Sequence, residues 1–366
     1  MLFTTSKENL NNAVSAVQKA INPKSIIPIY SCIKLEVKGN IAIFTGAGLD
    51  ISIECSIPVQ TESEGLVLIP SRHFGDIVRR LPDIPVTLEY TNDAEMTIRY
   101  EKSVFTLKTL SADDFPQMPV FQGGLSFSVS ADDIKKLIRQ SSFAASMDEL
   151  KGVFTGILWE VADKELSLIG TDTHRLAWSK KQIMAEDEDI KGSFIISAKI
   201  VSEIARLIQN DVCTVQAEKN AVFFSFDNIK IHCRVLEGSF PNYRQVIPNH
   251  FITSIWIDGR ILKDATDRIS LFAVSSEASS TINMEIGEGN LSLYSQSDIG
   301  FGREEIGITK EGEDIRIAFN SRYITDVFKA IDGESVGFQL SGQLSAGIMT
   351  EKEDKDFLYL VLPVKV

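Results

Sequence analysis

Asp172, His174 and Ser179 come closest, among the 366 residues of this sequence, to the residue types of a hydrolytic site. They lie in the segment TDTHRLAWS, where the aspartate and the histidine are two residues apart and so share one face of a strand. No nucleophile-elbow sequence, phosphate-binding loop or metal-ligand cluster accompanies them. We therefore interpret Asp172 and Arg175 as residues that stabilise a turn, and the sequence predicts that the chain is not an enzyme.

Paired cations recur in three eleven-residue segments that read SRHFGDIVRRL, AKIVSEIARLI and SRYITDVFKAI. In each segment the second residue is a cation, the sixth an acid and the ninth a cation again. This spacing is close to two helical turns, so both cations lie on one face of a helix and the apolar residues on the other. The six cations are Arg72, Arg79, Lys199, Arg206, Arg322 and Lys329.

The simplest explanation of this pattern is three ordinary amphipathic helices with solvated polar faces. Folding, however, requires only that such a face be polar and does not depend on the sign of its charge. Recurrence of cations at the same two positions therefore favours a shared positive surface. It also indicates a triplicated domain of about 120 residues. The predicted domains are residues 1–122, 123–250 and 251–366.

Each copy is predicted to contain two helices and about eight strands, which is an α+β fold. A strand and a helix capped by Ser6, Ser130 or Asp258 open the three copies. Alternating apolar residues predict strands in IKLEV, IAIFTG, GILWEV, LSLIGT, INMEIG and LSLYSQ. The cation-bearing helix follows, and proline-containing connectors, DDFPQMPVFQGG and SFPNYRQVIPNH, mark the boundaries between copies.

The net charge of −13 would repel a polyanion at long range. The acids are concentrated in turn-like stretches such as AEDEDIKG and EKEDKD, whereas the repeated helices carry the paired cations. Affinity from charge neutralisation scales with the number of phosphates contacted. A protein with acidic loops and one basic helical face could hold DNA without high affinity, and this combination suits weak, sliding contact.

Composition also excludes several classes of protein. No run approaches the roughly 20 apolar residues of a membrane span, and the first residues lack the pattern of a secretory signal. The four cysteines show no metal-ligand spacing. The sequence thus predicts a cytoplasmic chain with reduced thiols and with neither a cofactor nor a metal.

Three further segments carry a resemblance to a known family. They are TDTHRLAWS at 171–179, EGSFPNYRQVIP at 237–248 and the terminal YLVLPVKV. In their order and their spacing from the repeated helices, the chain resembles the bacterial sliding clamps, the beta subunits of DNA polymerase III, over its whole length. The resemblance implies the DNA clamp fold and a head-to-tail homodimer whose six domains close into a ring around double-stranded DNA without reading its sequence.

The resemblance also implies partners. Replicative DNA polymerase and other replication or repair proteins would bind through short peptide motifs, and the clamp would tether them to DNA as a processivity factor. An ATP-driven clamp loader would open the ring, because this sequence lacks a nucleotide-binding signature of its own. The alternative is a scaffold that docks peptides and never encircles DNA. The recurring cations argue against it, since such a scaffold would not need them.

By resemblance, the DNA-facing residues are Lys24, Arg72, Arg79, Lys136, Arg139, Lys199, Arg206, Arg260, Arg322 and Lys329. The residues of the implied peptide pocket are Phe154, Thr171, Thr173, His174, Arg175, Leu176, Pro241, Val246, Tyr323, Leu344, Val361, Leu362, Pro363 and Val364. Two positions depart from the family pattern, with threonine at 173 where glycine is usual and glutamine at 245 where arginine is frequent. For the terminal residues 362–364, an ordinary sheet edge is the alternative interpretation.

Subunit contact is implied between the first domain of one chain and the third domain of the other. The residues concerned are Phe105, Leu107, Leu271 and Phe272. Ring closure would cover both exposed sheet edges. Ordinary core burial is the alternative interpretation of these four side chains.

Overall fold

The computed structural model describes residues 1–91, 94–209, 212–273 and 280–365. Within these ranges the chain forms six α-helices and twenty-six strands, and all six segments predicted as strands are strands. The fold is the predicted α+β arrangement of three similar copies, each with two helices and eight or nine strands. None of the described helices has the length and apolar character needed to cross a membrane.

The elements of the first copy are β1 Leu2–Ser6, α1 Lys7–Val17, β2 Cys32–Lys38, β3 Ile41–Ala47, β4 Ile51–Pro58, β5 Gln60–Ser63, β6 Gly65–Pro70, α2 Ser71–Arg80, β7 Pro85–Thr91, β8 Glu95–Tyr100 and β9 Ser103–Lys108. Those of the second are β10 Leu125–Ser130, α3 Ala131–Ser142, β11 Gly156–Ala162, β12 Glu165–Thr171, β13 Arg175–Gln182, β14 Gly192–Ser197, α4 Ala198–Leu207, β15 Val212–Ala217, β16 Ala221–Phe226 and β17 Ile229–Arg234. Those of the third are β18 Thr253–Asp258, α5 Gly259–Ser270, β19 Thr281–Gly287, β20 Asn290–Ser297, β21 Gly300–Gly307, β22 Thr309–Gly312, β23 Ile315–Asn320, α6 Ser321–Asp326, β24 Ser335–Leu340, β25 Gly347–Glu351 and β26 Phe357–Val361.

Strand alternation follows the sequence pattern. In β19 the side chains of Ile282, Met284 and Ile286 are buried, and the residues between them are partly exposed. Successive strand residues point to opposite faces, so an apolar residue at every second position buries one face of the sheet. Each fully buried side chain of this kind contributes about 1.5–3 kcal/mol relative to exposure.

The helices begin where the sequence predicts. Ser6 accepts a hydrogen bond from the backbone amide of Asn9, and Asp258 accepts from the amides of Arg260 and Ile261. These bonds satisfy amides that have no partner within the helix.

The chain divides into two compact units, and the first contains residues 1–131 and 206–235. Its two antiparallel sheets have the strand orders β5-β1-β7-β8-β9 and β10-β15-β16-β17-β4-β3-β2-β6. In the larger sheet β17 of the second copy pairs with β4 of the first, through residue pairs such as Cys233 with Ile51. Backbone hydrogen bonds therefore join these two copies.

The second unit contains residues 132–205 and 236–366. Its sheets have the orders β14-β11-β12-β13-β26-β25-β24-β18-β22 and β21-β20-β19-β23. Strand β13 of the second copy pairs with β26 of the third, so backbone bonds join these copies too. Phe319, Phe338 and Tyr359 are fully buried in the core of the third copy.

Candidate nucleic-acid and peptide interfaces

The three repeated segments form α2, α4 and α6, and a single turn of 3₁₀ helix, Val327–Lys329, continues α6. Each has one buried face and one exposed face, as the periodicity predicts. The buried side chains are Phe74, Val78, Val201, Ile204, Ile324 and Val327. The exposed ones are the six predicted cations, Arg72, Arg79, Lys199, Arg206, Arg322 and Lys329.

The acid at the sixth position binds nearby cations on α2 and α6. Asp76 lies 2.6 Å from Arg79, and Asp326 lies 2.5 Å from Lys329 and 3.8 Å from Arg322. The pKa of Asp76 is lowered, mainly because Arg79 donates a hydrogen bond to its carboxylate. Each acid therefore offsets part of the positive charge of its own helix and leaves a small net charge for a ligand.

The remaining predicted DNA-facing residues fall into two groups. Lys24 and Arg260 are exposed, and Glu334 lies 4.0 Å from Arg260. Lys136 and Arg139 on α3 are only partly exposed and bind acids of the third copy. These are Asp354, at 2.7 Å from Lys136, and Asp332, whose Oδ1 accepts from Arg139 Nη1 at 2.6 Å. The charges of both α3 cations are thus already compensated.

A buried arginine organises the predicted peptide pocket. Arg175 donates from Nε to Asp172 at 3.0 Å and from Nη1 to Asp326 on α6 at 2.7 Å. Its guanidinium also lies 4.6 Å from the ring centroid of Tyr323. Burial alone would raise the pKa of Asp326, but hydrogen bonds from Lys329 and Arg175 hold it below its ordinary value. The pair stays ionised and links the second copy to the third.

The loop between β12 and β13 is held by its own side chains. Asp172 Oδ1 accepts from the backbone amides of His174 and Arg175 at 3.0 and 3.1 Å. Thr171 Oγ1 donates to the carbonyl of Arg175 and accepts from the amide of Thr173. Asp172 thus has the turn-stabilising role that the sequence suggests.

The hydroxyl that could have served as a nucleophile faces elsewhere. Ser179 is fully buried, and its Oγ donates to Gln140 at 2.6 Å. His174 is exposed, and its ring stacks on Tyr323 at a centroid distance of 6.4 Å. The structure therefore does not bring Ser179 and His174 together as a catalytic pair.

Ten of the fourteen predicted pocket residues are exposed or partly exposed. His174, Thr173, Pro241, Val246, Leu344 and Leu362 are exposed, and Phe154, Tyr323, Pro363 and Val364 are partly exposed. Thr171, Arg175, Leu176 and Val361 are buried. Val361 belongs to the core of the third copy, so it supports the pocket from beneath and offers no side-chain surface to a ligand.

Strand β26 and the residues just after it are hydrogen-bonded to neighbouring segments. Strand β26 lies between β13 and β25, so it is an interior strand and not a sheet edge. Beyond it, the amide of Leu362 donates to His174 at 2.9 Å and the amide of Val364 donates to Ala318 at 2.7 Å. The terminal residues are thus positioned next to the 171–175 loop.

From the sequence we did not predict the apolar cluster that lies beneath the proposed peptide pocket. This cluster on the nine-stranded sheet contains Leu158, Ile169, Leu176, Ile348 and Leu360, from strands β11, β12, β13, β25 and β26. The signal was present, because β12 and the chain end carry apolar residues on both faces. A strand that is apolar on both faces is covered on both sides.

The predicted subunit contacts lie at two sheet edges. Phe105 and Leu107 belong to the edge strand β9, and Phe105 stacks on Tyr100 at 6.1 Å. Together with residues of α2 they line a cavity of about 340 Å³. Leu271 is 68% exposed just after α5, and the Phe272 ring contacts Gly302 on the edge strand β21. Of the four side chains, none is in a buried core.

Comparison with known proteins gives a match along the whole chain. Models of the N-terminal, central and C-terminal domains of the DNA polymerase III beta subunit match residues 1–119, 128–242 and 244–365. The chain belongs to the DNA polymerase III beta subunit family. The clamps of this family are processivity factors, so the function is that of a DNA sliding clamp and the chain is not an enzyme.

Individual clamps are similar over their full length. The beta sliding clamps of Staphylococcus epidermidis and Staphylococcus aureus are 32% and 31% identical to this chain, with 100% of this chain and 99% of each relative covered. The crystal structure of the Bacillus subtilis clamp is 29% identical with a TM-score of 0.95, and that of the Thermotoga maritima beta subunit is 27% identical with a TM-score of 0.93. In both cases the match covers 100% of this chain and 99% of the other.

The first prediction concerns the buried cluster of the clamp. Replacing Arg175 by methionine removes the guanidinium that the buried carboxylates of Asp172 and Asp326 share. Breaking a buried ion pair in this way typically costs about 3–5 kcal/mol of unfolding free energy. The measurement is urea unfolding. The matched control is Arg244→Met, because Arg244 is 56% exposed and binds Glu160 at the surface, where a pair contributes about 0–1 kcal/mol. Equal losses in the two variants would contradict the assigned role.

The second prediction concerns the threonine that replaces the usual glycine. Thr173 has φ = +82°, a conformation that costs a side-chain-bearing residue about 1–2 kcal/mol. Thr173→Gly should remove this strain and, after the larger entropy loss of glycine on folding, stabilise the clamp by about 0.5–1 kcal/mol. Thermal unfolding measures this gain in stability. We expect the melting temperature of Thr173→Asn to lie between those of the native clamp and the glycine variant. A lower melting temperature for the glycine variant would show that the threonine side chain makes a compensating contact.

Proposed function

We propose that two copies of the clamp join head to tail, first copy to third, and enclose duplex DNA. The recurrence of exposed cations at the same two positions of α2, α4 and α6, opposite buried apolar residues, carries this proposal. Two unpaired sheet edges, β9 and β21, supply the surfaces through which the chains would meet. Apolar side chains exposed at both edges would become buried.

Enclosure explains why the clamp can be acidic overall. A protein that holds DNA by affinity needs many phosphate contacts, and its binding then falls steeply with salt. A ring needs only enough positive charge for phosphates to be tolerated while the ring moves along them. Phosphate contacts carry no sequence information, which suits a clamp that must pass any sequence.

We further propose which cations face the DNA. The exposed ones, Lys24, Arg260 and the six on the repeated helices, would meet phosphates directly. Lys136 and Arg139 would contribute less, because a phosphate must compete with the acids that already bind them. We assign these two cations mainly to joining the second copy to the third.

The surface around the 171–175 loop is the proposed docking site for the replicative polymerase and other replication or repair proteins. The predicted pocket residues include exposed apolar side chains, among them Val246, Leu344 and Leu362, and few polar ones, such as His174. Such a surface suits a short peptide anchored by apolar side chains. A separate ATP-driven loader would open the ring, and we place the clamp in the cytoplasm with these partners.

A scaffold that docks peptides without enclosing DNA is not favoured. The family to which the chain belongs consists of sliding clamps, and such a scaffold gives no reason for the repeated exposed cations. The predicted domain limits of 1–122, 123–250 and 251–366 remain our proposal for the three copies.

The third prediction tests enclosure. Clamp preloaded on nicked circular duplex DNA should remain bound during gel filtration and should run off once the circle is linearised. The control is Leu271→Asp, which places a charge in the proposed subunit contact. This variant should have the 40.6 kDa mass of one chain, where the native clamp has about 81 kDa, and should not stay on the circle. Equal retention of the native clamp on circular and linear DNA would refute enclosure.

The fourth prediction tests the cations. Reversing Arg72, Lys199 and Arg322 to glutamate should weaken binding to a short linear duplex and reduce the slope of log affinity against log salt by about 0.9 per lost phosphate contact. The control reverses Lys38, Lys219 and Lys230, which are exposed on strands and turns, and so changes net charge equally. The same slope in both triple variants would remove the repeated helices from the DNA-facing surface.

A further inference from the structure

Two tryptophans frame a groove on one face of the nine-stranded sheet. Trp178 on β13 lies opposite Leu358 on β26, and Trp256 on β18 lies opposite Gly337 on β24, which in turn lies opposite Thr350 on β25. The row spans five strands, or about 19 Å at the usual strand spacing. Between the tryptophans is a cavity of about 390 Å³, within the size range of ligand sites. We call it the tryptophan groove.

Both walls of the tryptophan groove are held in place. Trp178 Nε1 donates to Ser167 at 3.1 Å, and its ring packs against Tyr243 at a centroid distance of 6.1 Å. The Trp256 ring lies over Gly337, where a Cβ atom would come within 2.8 Å of two ring carbons. Any side chain at 337 would displace this ring. Fixed walls reduce the entropy that binding must overcome.

The rim of the groove presents positive charge. Lys352 and Lys355 are exposed, and neither has an ion pair with a residue that the structure describes. Two of the acids beside them are engaged, because Asp354 is buried against Lys136 at 2.7 Å and Asp356 accepts from Lys181 at 3.2 Å. The third, Glu353, is exposed and does not line the groove. In a chain with a net charge of −13, two uncompensated lysines beside an apolar cavity favour an acidic ligand.

Two other charged groups line the groove and do not alter the positive charge of its rim. Lys180 is bonded to Glu165 at 2.9 Å, and Glu351 is buried. The close mixture of engaged carboxylates disfavours a polyphosphate chain, which would meet several of them as it passed. A short peptide that carries an acidic side chain next to an apolar one would need to reach only the two lysines of the rim.

The groove continues the proposed peptide pocket. Leu176 and Leu360 face each other in the floor beneath the pocket, and Trp178 and Leu358 follow two residues along the same two strands. Two residues of a strand span about 7 Å. A peptide that leaves the pocket in an extended conformation could therefore reach the groove within a few residues.

We propose that the tryptophan groove binds a second part of the partner peptides, in which one large apolar side chain is flanked by acidic residues. The apolar side chain enters between Trp178 and Trp256 over Leu358, and the acids face Lys352 and Lys355. The proposal rests on the proposed pocket only for the source of the peptide, since the groove can be tested by itself.

The test uses the full-length clamp immobilised for surface plasmon resonance. The probe is the acetylated and amidated pentapeptide DDFDD, with KKFKK, DDADD and a ten-nucleotide oligothymidylate as comparison ligands. Thr350→Phe fills the groove from its floor, Trp256→Ala removes one wall, and Lys352→Glu with Lys355→Glu reverses the rim. Leu362→Asp alters the pocket and leaves the groove intact. Solution mass and retention on circular DNA report the integrity of each variant.

We expect DDFDD to bind in preference to KKFKK and DDADD, and each groove variant to weaken it about tenfold or more, as loss of an aromatic anchor typically does. Leu362→Asp should leave it unchanged. Equal binding of KKFKK, or no effect of Trp256→Ala and Thr350→Phe, would overturn the proposal. So would loss of DDFDD binding in Leu362→Asp, which would place the peptide in the pocket. Oligothymidylate binding with the same variant sensitivity, in place of DDFDD, would identify a nucleic-acid site. Failure of the native clamp to stay on circular DNA would count against enclosure. It would not affect the conclusion drawn from DDFDD binding to the groove.

Discussion

The proposed peptide surface and the orientation of α6 depend on the buried guanidinium of Arg175. It is buried between Asp172, in the loop after β12, and Asp326, on the helix that bears two of the exposed cations. A buried charge is tolerated only when it is paired and hydrogen-bonded. The same contact therefore fixes the 171–175 loop, orients α6 and brings Tyr323 against His174. One residue holds the proposed peptide surface and the proposed DNA-facing helix in a common geometry.

Acid placement explains how an acidic protein can tolerate DNA. On α2 and α6 the acid at the sixth position binds the neighbouring cations, and Asp332 and Asp354 bind the cations of α3. Helices α2 and α6 each keep a modest positive surface, whereas the two predicted cations of α3 are compensated. Strong positive charge would hold phosphates in place and slow movement along DNA, because the salt-dependent affinity grows with each contact. The weak charge is consistent with a protein that remains on DNA by enclosure.

Sheet pairing, and not the repeat alone, determines how the copies are joined. The second copy contributes four strands to a sheet with the first, through β17 and β4, and four to a sheet with the third, through β13 and β26. Strands β9 and β21 remain at sheet edges, and a symmetric assembly would cover the exposed apolar residues beside them.

The sequence by itself determined the triplication, the two faces of the repeated helices, the helix caps and most strands, because these depend on local periodicity and on the chemistry of single side chains. It also placed Asp172 in a turn and argued against catalysis. Only the tertiary structure decided which cations are compensated by acids from distant parts of the sequence. Lys136 and Arg139 look like the other cations in sequence, yet acids about 200 residues away compensate them. It likewise decided that Val361 faces the core and that Trp178 and Trp256 share one row. These properties depend on strand pairing between distant segments, which no local pattern records.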